Sequence, residues 1–574
     1  MMDVLFVTPT ANPNVLKESL GTMILSTILR QKGIGAEILS FAHIGDPNRY
    51  EEFFEKAVSM ILEKQPRILS LYTRCDCYHI MLRLAERIKK ELGCYIVFGG
   101  PQADITAVET LEEIPYVDFV CRGEGETTVY PLFSSLLCGE PDLSVAGLVY
   151  RQGTEVRANP RPELIADLDT LPIPDYSIFG EEIPVDPKTC FSIDVGRGCP
   201  FGCTYCSTKT FWGRKYRLKS PERILEELKY FHDKFGVTYF AFEHDMFTMN
   251  KAQVKEICRM IRELECKVSW NCSARSDCID EELIQIMADS GMKWIYLGIE
   301  TGSPRMQKLV NKNLKLEGLL PLIRFITSRN VRVVTSFIYG FPEETEEDMS
   351  LTLTLMIDLI RMKNVQVQAH LCAFLPGTAL GEEYRDRLVP AVTQSDQAGE
   401  IGFEENADLI QAHPRLFLQC REYPTALRSK LAYFTLFLSV FHILKPVYLY
   451  YSDQYEREKK LQFYLDFVED HRDILYGSEF PTDHHKICEI VKRGTFAKRF
   501  AKLPFGDLAA DIYRMEAARF SVHYGGAPSA TEILSVVPSE LQSCERLEDC
   551  PRNWSMVTFA RDKDGNVQTL VRRM

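Results

Sequence analysis

Apolar runs of four to eight residues alternate with amphipathic helical stretches through the first two thirds of this chain. That alternation restricts the fold to strands joined by crossover helices, the parallel α/β class. Residues 4–8, 36–41, 68–72, 95–98 and 116–121 read as buried strands, with helical spacing over 19–32, 50–64 and 79–92 between them. A shorter helix separates the last two strands. The expected product is a doubly wound sheet, whose ligands sit beyond the carboxyl ends of its strands.

Polar and glycine-rich turns fall at those ends. Ser70 and Tyr72 close one strand and lead to Arg74, Gly99-Gly100-Pro101 follows the next, and Arg122-Gly123-Glu124-Gly125-Glu126-Thr127 follows the last. Glycine there either makes a tight turn or lets the backbone approach a large flat or phosphorylated ligand. The run Asp167-Leu-Asp-Thr-Leu-Pro172-Ile-Pro174 is too rich in proline for a helix and marks a boundary. The expected division is residues 1–140, a linker over 141–188, a second domain over 189–385 and a third over 386–574.

The second domain opens on Cys199-Pro-Phe-Gly-Cys203-Thr-Tyr-Cys206, a C-x3-C-x2-C spacing. Three thiolates on one loop can hold three irons of a 4Fe–4S cluster and leave the fourth open to bind and reduce a ligand. A structural zinc site would want a fourth ligand at a second paired spacing, and no such pair follows. Six further strand-and-helix units are predicted from residue 191 to 378, a partial (β/α)6 barrel. Their strand ends carry Glu243, Arg275, Glu300 with Ser303, Gly340 and Pro376. Active groups of such barrels lie at the carboxyl ends of strands.

Composition narrows the class. The 574 residues suit about three domains. With 67 basic and 80 acidic side chains the net charge is -13, which argues against a nucleic-acid partner held through phosphates. The 18 cysteines and an N-terminus without a leader pattern point to reduced thiols in a cytoplasm. Residues 431–451 are apolar and aromatic, but His442, Lys445 and Pro446 interrupt them, so a buried or interfacial helix is expected and no transmembrane segment.

Together these motifs resemble the radical S-adenosylmethionine (SAM) enzymes that carry an N-terminal cobalamin-binding domain. The resemblance implies a flavodoxin-like, doubly wound cobalamin-binding sheet, then the partial barrel of the radical SAM core, then a mostly α-helical C-terminal domain. It assigns the 4Fe–4S cluster to Cys199, Cys203 and Cys206. It assigns SAM to Tyr205, Glu243, Arg275, Glu300, Ser303 and Pro376. Cobalamin falls to Asn12, Ser70, Tyr72, Arg74, Gly99, Gly100, Gly123, Glu124, Gly125 and Glu126. The family's cobalt-ligating histidine motif has no counterpart in Thr8-Pro-Thr-Ala-Asn12, so cobalamin bound without a protein histidine is expected, with Arg74 a candidate to cover its lower face.

The implied activity is methylation of an unactivated carbon of a small molecule or peptide, with an electron donor such as flavodoxin or ferredoxin. A cyclisation or rearrangement with the same cofactors, a methylthiotransferase with a second cluster, and a non-catalytic cobalamin sensor are the alternatives. The last third carries no catalytic motif. His484-His485 with Cys488 reads as a helix start or loop, the aromatic positions of 430–464 as core, and the region as a cap that shapes the substrate pocket.

Overall fold

The computed structural model describes residues 2–9, 19–47, 49–176, 190–399, 401–479, 482–500, 513, 555–561 and 567–573. Two compact units emerge. One comprises Met1–Tyr296, Val310–Lys312 and Leu371–Tyr423; the other comprises Leu297–Leu309, Asn313–His370 and Pro424–Met574.

The first unit begins with a seven-stranded sheet. Its strands are β1 (Met2–Thr8), β2 (Ala36–Ser40), β3 (Pro66–Tyr72), β4 (Tyr95–Gly99), β5 (Phe119–Cys121), β6 (Leu148–Gln152) and β7 (Glu155–Ala158), in the order β2-β1-β3-β4-β5-β6-β7. The first five are parallel, with Val4 opposite Ala36 and Ile68, Ile68 opposite Tyr95, and Val97 opposite Phe119. The order 2-1-3-4-5 is the flavodoxin-like one, and its switch point lies between β1 and β3. Strands in such a sheet are covered on both faces, which is why they read as continuous apolar runs. Leu5, Val7, Ile68, Leu69, Ile96 and Phe98 are all fully buried, each stabilising the fold by roughly 1.5–3 kcal/mol.

The connecting helices are α1 (Leu20–Gln31), α2 (Tyr50–Lys64), α3 (Tyr78–Leu92), α4 (Pro101–Ile105), α5 (Ala107–Glu113) and α6 (Val129–Cys138). Their ends follow local chemistry. Ser19 Oγ accepts the Thr22 N–H at the start of α1, and Gly93 and Gly139 stop α3 and α6 in the left-handed conformation.

The expected linker over 141–188 differs from what is observed. Residues 148–158 form the antiparallel hairpin β6–β7, which lengthens the sheet. The signal was present as the apolar run Leu-Val-Tyr and the alternating Glu-Val-Arg-Ala on either side of Gly153, whose φ is 64°.

The second sheet contains β8 (Phe191–Asp194), β11 (Tyr239–Glu243), β12 (Ser269–Ala274), β13 (Met292–Glu300), β14 (Arg332–Tyr339) and β15 (Val365–Leu371) in the order β15-β14-β13-β12-β11-β8. Two short strands, β9 (Gly196–Arg197) and β10 (Arg217–Leu218), pair antiparallel beside it. Strands β8, β11 and β12 are parallel. Sequential strands as neighbours, each followed by a helix, are the arrangement expected of a six-unit β/α core. Helices α7 (Thr208–Trp212) and α8 (Pro221–Phe235) follow the cysteine loop, α8 capped by Ser220 and stopped by Gly236.

The segment 371–423 belongs with the first unit, where a C-terminal cap was expected to begin at 386. Gln102 Nε2 donates to Leu416 O at 2.8 Å, the Phe417 ring lies 5.7 Å from that of Tyr78, and Arg83 pairs with Asp408 at 2.6 Å.

In the second unit, helix Glu346–Arg361 starts in a capping box made by Thr345 and Asp348. Residues 431–451 form two helices, Phe434–Ile443 and Lys445–Ser452. Their aromatic residues are core: the Phe437 ring lies 5.1 to 5.5 Å from Phe463, Tyr464 and Phe467. No helix among the described residues is long and apolar enough to cross a membrane. His485 lies in the first turn of helix Asp483–Arg493 and faces its N-cap, Thr482, at 2.6 Å.

Glu344 gives this unit a pH signature. It is buried, its Oε2 accepts the Gly340 N–H at 2.7 Å, and its Oε1 has no hydrogen-bond partner. Burial pushes its carboxyl up from 4.5 to about 8, more than the Gly340 N–H can offset. The folded state therefore keeps this proton where the unfolded chain loses it. Its contribution to stability is present below 4.5 and lost as pH rises through about 8. In thermal melts across that range, Glu344→Gln is expected to gain on the wild type as pH rises. An unchanged difference would contradict the assignment.

Candidate functional site

The cysteine loop runs from β9 to α7, and the first unit pins it at many points. Gly198 N donates to Asp245 Oδ2 at 2.9 Å, and Thr204 N to Val310 O at 3.0 Å. Leu380 N donates to Thr204 O at 2.9 Å, and Asn311 Nδ2 to Gly202 O at 2.8 Å. The Thr208 hydroxyl lies 3.2 Å from Cys206 Sγ and 3.4 Å from Asp245 Oδ1. Gly198, with φ +90°, admits no side chain, because a Cβ there would stand 1.9 Å from Lys215 O. The loop backbone is thus set before any ligand arrives.

Its three thiols feel one another. Burial pushes Cys199 up to about 11, and the neighbouring Cys206, Asp245 and Cys203 add to the rise. Burial also raises Cys206. As thiolates, the three could ligate irons of an iron–sulfur cluster. Among the described residues no three His, Cys, Asp or Glu groups are placed to hold a single metal ion. If a 4Fe–4S cluster is bound here, Cys199, Cys203 and Cys206 are the residues that would hold it.

Arg275 stands at this loop. Its guanidinium lies 3.8 Å from the centre of the Phe201 ring and 3.9 Å from Cys203 Sγ. Asp277 at 2.8 Å and Lys312 O at 2.9 Å hold it there. Glu243 closes β11, where its Oε1 accepts from Ser192 Oγ at 2.7 Å. His244 is buried, accepts the Met246 N–H at 2.7 Å and stacks on Tyr216. Burial lowers its pKa, so it is a neutral structural imidazole at neutral pH.

Asp245, the last residue of the Glu243-His244-Asp245 run that the sequence offered as a SAM contact, binds the loop directly. Its place at a strand end was the available signal. Pro376 lies in the turn that brings Gly377 against Thr210 of α7 and Ile105 of α4. Tyr205 lies within the loop, between Cys203 and Cys206.

In the second unit, Glu300 is buried and has φ +69°, a left-handed conformation rare for a non-glycine residue and often found at ligand sites. Ser303 is also buried, and its hydroxyl donates to Asp348 Oδ1 at 2.5 Å and accepts the Met306 N–H at 3.2 Å. Those bonds account for Ser303 without a ligand.

At the carboxyl ends of β3 and β4, Thr73 packs on Gly99-Gly100: its N–H and hydroxyl both donate to Gly99 O, at 2.8 and 2.9 Å. A Cβ on Gly100 would meet Thr73 backbone at 2.7 Å, one on Gly123 would meet Pro162 at 3.0 Å, and one on Gly125 would meet Leu25 at 3.2 Å. Packing within the protein thus accounts for three of these glycines. Gly99 alone of the four faces open space.

Ser70 is buried on β3, and burial raises the Tyr72 phenol. Arg74 is paired with Asp76 at 2.6 Å. Asn12 lies outside the described residues. The open position at Gly99 and the switch point between β1 and β3 fit a large planar ligand above the sheet.

Glu124 and Glu126 are engaged elsewhere. Arg197, two residues before Cys199, pairs with Glu124 and Glu126 at 2.7 Å each and with Asp194 at 3.0 Å. Arg217 pairs with Glu124 at 2.9 Å, and the Ile165 N–H donates to Glu124 at 2.6 Å. Burial alone would raise the Glu124 carboxyl, but these donors outweigh it and hold it below the ordinary range. Arg197 was not singled out from the sequence, although it lies within Gly-Arg-Gly-Cys.

Residues 193–356 match the family model of the radical SAM superfamily. The chain is 32% identical over 283 residues to an uncharacterized methyltransferase of Pyrococcus horikoshii, a match covering 48% of this chain and 60% of that one. It is 26% identical over 322 residues to the anaerobic magnesium-protoporphyrin IX monomethyl ester cyclase of Cereibacter sphaeroides, covering 53% and 51%. This chain thus spans between half and three fifths of the length of these curated relatives. Among solved structures, the cobalamin-dependent SAM radical enzyme OxsB, with aqua-cobalamin and SAM bound, superposes with a TM-score of 0.58 at 15% identity, over 93% of this chain and 83% of that one. Residues 193–356 thus carry a radical SAM superfamily domain, and the chain shares its fold with OxsB.

Proposed function

We propose that this protein is a cobalamin-dependent radical SAM methyltransferase that methylates an unactivated carbon, or a similar centre, of a small molecule or peptide. The observation that carries this reading is the direct tie, within one unit, between the cysteine loop and the carboxyl-end turn of a flavodoxin-ordered sheet. When bound, the cluster supplies the electron that cleaves SAM and cobalamin supplies the methyl group.

The protein's own part is positioning. Cys199, Cys203 and Cys206 hold the cluster. Arg275 sets a cation beside Cys203, where it offsets thiolate charge and can take the carboxylate of SAM. Asp245 fixes the start of the loop through Gly198 N–H. Tyr205, Glu243 and Pro376 are the other SAM contacts proposed within this unit. Gly99 leaves room for the cobalamin ring, Ser70 and Tyr72 line the strand end below it, and Arg74 with Asp76 stands on the loop that follows. A flavodoxin or ferredoxin would supply the electron.

The test uses reconstituted holoprotein loaded with hydroxocobalamin, reductant and SAM labelled in its methyl group, incubated with an extract of host metabolites and peptides. Label is expected in a product, with S-adenosylhomocysteine and 5′-deoxyadenosine both formed. Label absent from every product, with 5′-deoxyadenosine still formed, would replace methylation by a cyclisation such as the cyclase-named relative suggests. About eight irons per chain would favour a methylthiotransferase with two clusters.

A further inference from the structure

The cluster loop is fastened at both ends to one buried charge cluster. On its leading side Arg197 is 10% exposed and reaches three carboxylates, of which Glu124 is 0% and Glu126 7% exposed. On its trailing side Trp212 ends the helix that follows Cys206. Its ring lies 5.8 Å from the guanidinium carbon of Arg197 and 5.5 Å from that of Arg217. Arg217 closes the circuit to Glu124.

Three carboxylates (Glu124, Glu126 and Asp194) thus face two guanidiniums in a largely dry site. Such an arrangement is tolerable only while every partner stays in place, because each unpaired buried charge is costly. A shift of the 122–127 turn therefore cannot be absorbed locally. Keeping these pairs requires Arg197 to follow it, two residues from Cys199.

We infer that Arg197 is a positioning residue that couples occupancy of the N-terminal sheet's ligand site to the SAM-binding face of the cluster loop. Glu124 and Glu126 serve as its anchor on the sheet side. The inference rests on the reading that cobalamin occupies the N-terminal site. Linkage makes the coupling reciprocal: whatever factor SAM imposes on cobalamin affinity, cobalamin imposes on SAM affinity.

The experiment is equilibrium titration of hydroxocobalamin into reconstituted, unreduced holoprotein, followed by absorbance, with and without saturating SAM. The wild type is expected to show a ratio of the two dissociation constants of about five or more. In Glu126→Gln, which is isosteric and leaves the Glu124 pairs intact, the ratio is expected to fall close to one. Arg197→Lys keeps the charge but cannot fork to several carboxylates, and is expected to behave alike. The ratio is the readout, so a uniform loss of affinity does not imitate the effect.

A wild-type ratio of one, or variants that keep the wild-type ratio, would overturn the inference and leave the proposed function standing. A wild type that takes up no hydroxocobalamin would overturn the proposed function itself. If Arg197→Lys fails to hold iron, Glu126→Gln decides alone.

Discussion

Cys203→Ala protein, reconstituted with iron and sulfide under anaerobic conditions, is expected to lose the cluster and form no 5′-deoxyadenosine from SAM. The wild type should hold about four irons per chain. The loop has three thiols and its backbone is held by Asp245, Val310, Leu380 and Asn311, whatever occupies it. Removing one thiol therefore leaves the frame and removes a ligand. Cys199→Ala and Cys206→Ala should behave alike, whereas Cys258→Ala, a buried cysteine on helix Lys251–Arg262, should keep its iron. Iron content and circular dichroism measured together distinguish the outcomes. A Cys203→Ala protein with full iron and active SAM cleavage would remove this cysteine from the site.

Glu124→Ala is expected to destabilise the first unit strongly, by about 3–5 kcal/mol. The side chain is 0% exposed, and its loss leaves Arg217 without its carboxylate, takes one of three from Arg197 and frees the Ile165 N–H. Breaking one side of a buried ion pair costs more than the pair contributes, because the partner keeps its desolvation penalty. The sign with pH follows. The Glu124 carboxyl is held below its ordinary range, so its contribution is present at neutral pH and lost on acidification through that lowered value. Denaturant melts at pH 7 measure the loss, and the difference between wild type and variant should shrink at low pH. A change within experimental error at pH 7 would mean that solvent reaches the site.

The fold was legible where the signal is local. The runs VLFVT, ILSLY and YIVF are nearly continuous in apolar residues, as strands covered on both faces tend to be, and each appears as a strand of the first sheet. The cysteine loop was legible because its three thiols lie within eight residues, so spacing alone implies their proximity. Residues 148–158 were harder. Only Glu-Val-Arg-Ala alternates, and their neighbours are rich in proline and polar residues, so the sequence resembles a linker until β5 offers an edge to pair with.

The glycine turns show the opposite limit. A glycine at a strand end records a close approach but not what approaches. Thr73, Pro162 and Leu25 fill that role at Gly100, Gly123 and Gly125, and no sequence pattern distinguishes them from a ligand. In the same way, two acidic residues in Gly-Glu-Gly-Glu suit a cofactor contact until Arg197 takes them.

The order of strands and helices, the parallel class and the thiolate triad follow from short-range periodicity and spacing, which are properties of the chain itself. The tie between Arg197 and Glu124 joins residues 73 positions apart. Which carboxylate a given arginine meets depends on how two sheets pack, and packing is set by the summed burial of many side chains rather than by any local pattern. Tertiary structure alone therefore decided that the turn expected to hold one cofactor also grips the loop expected to hold the other.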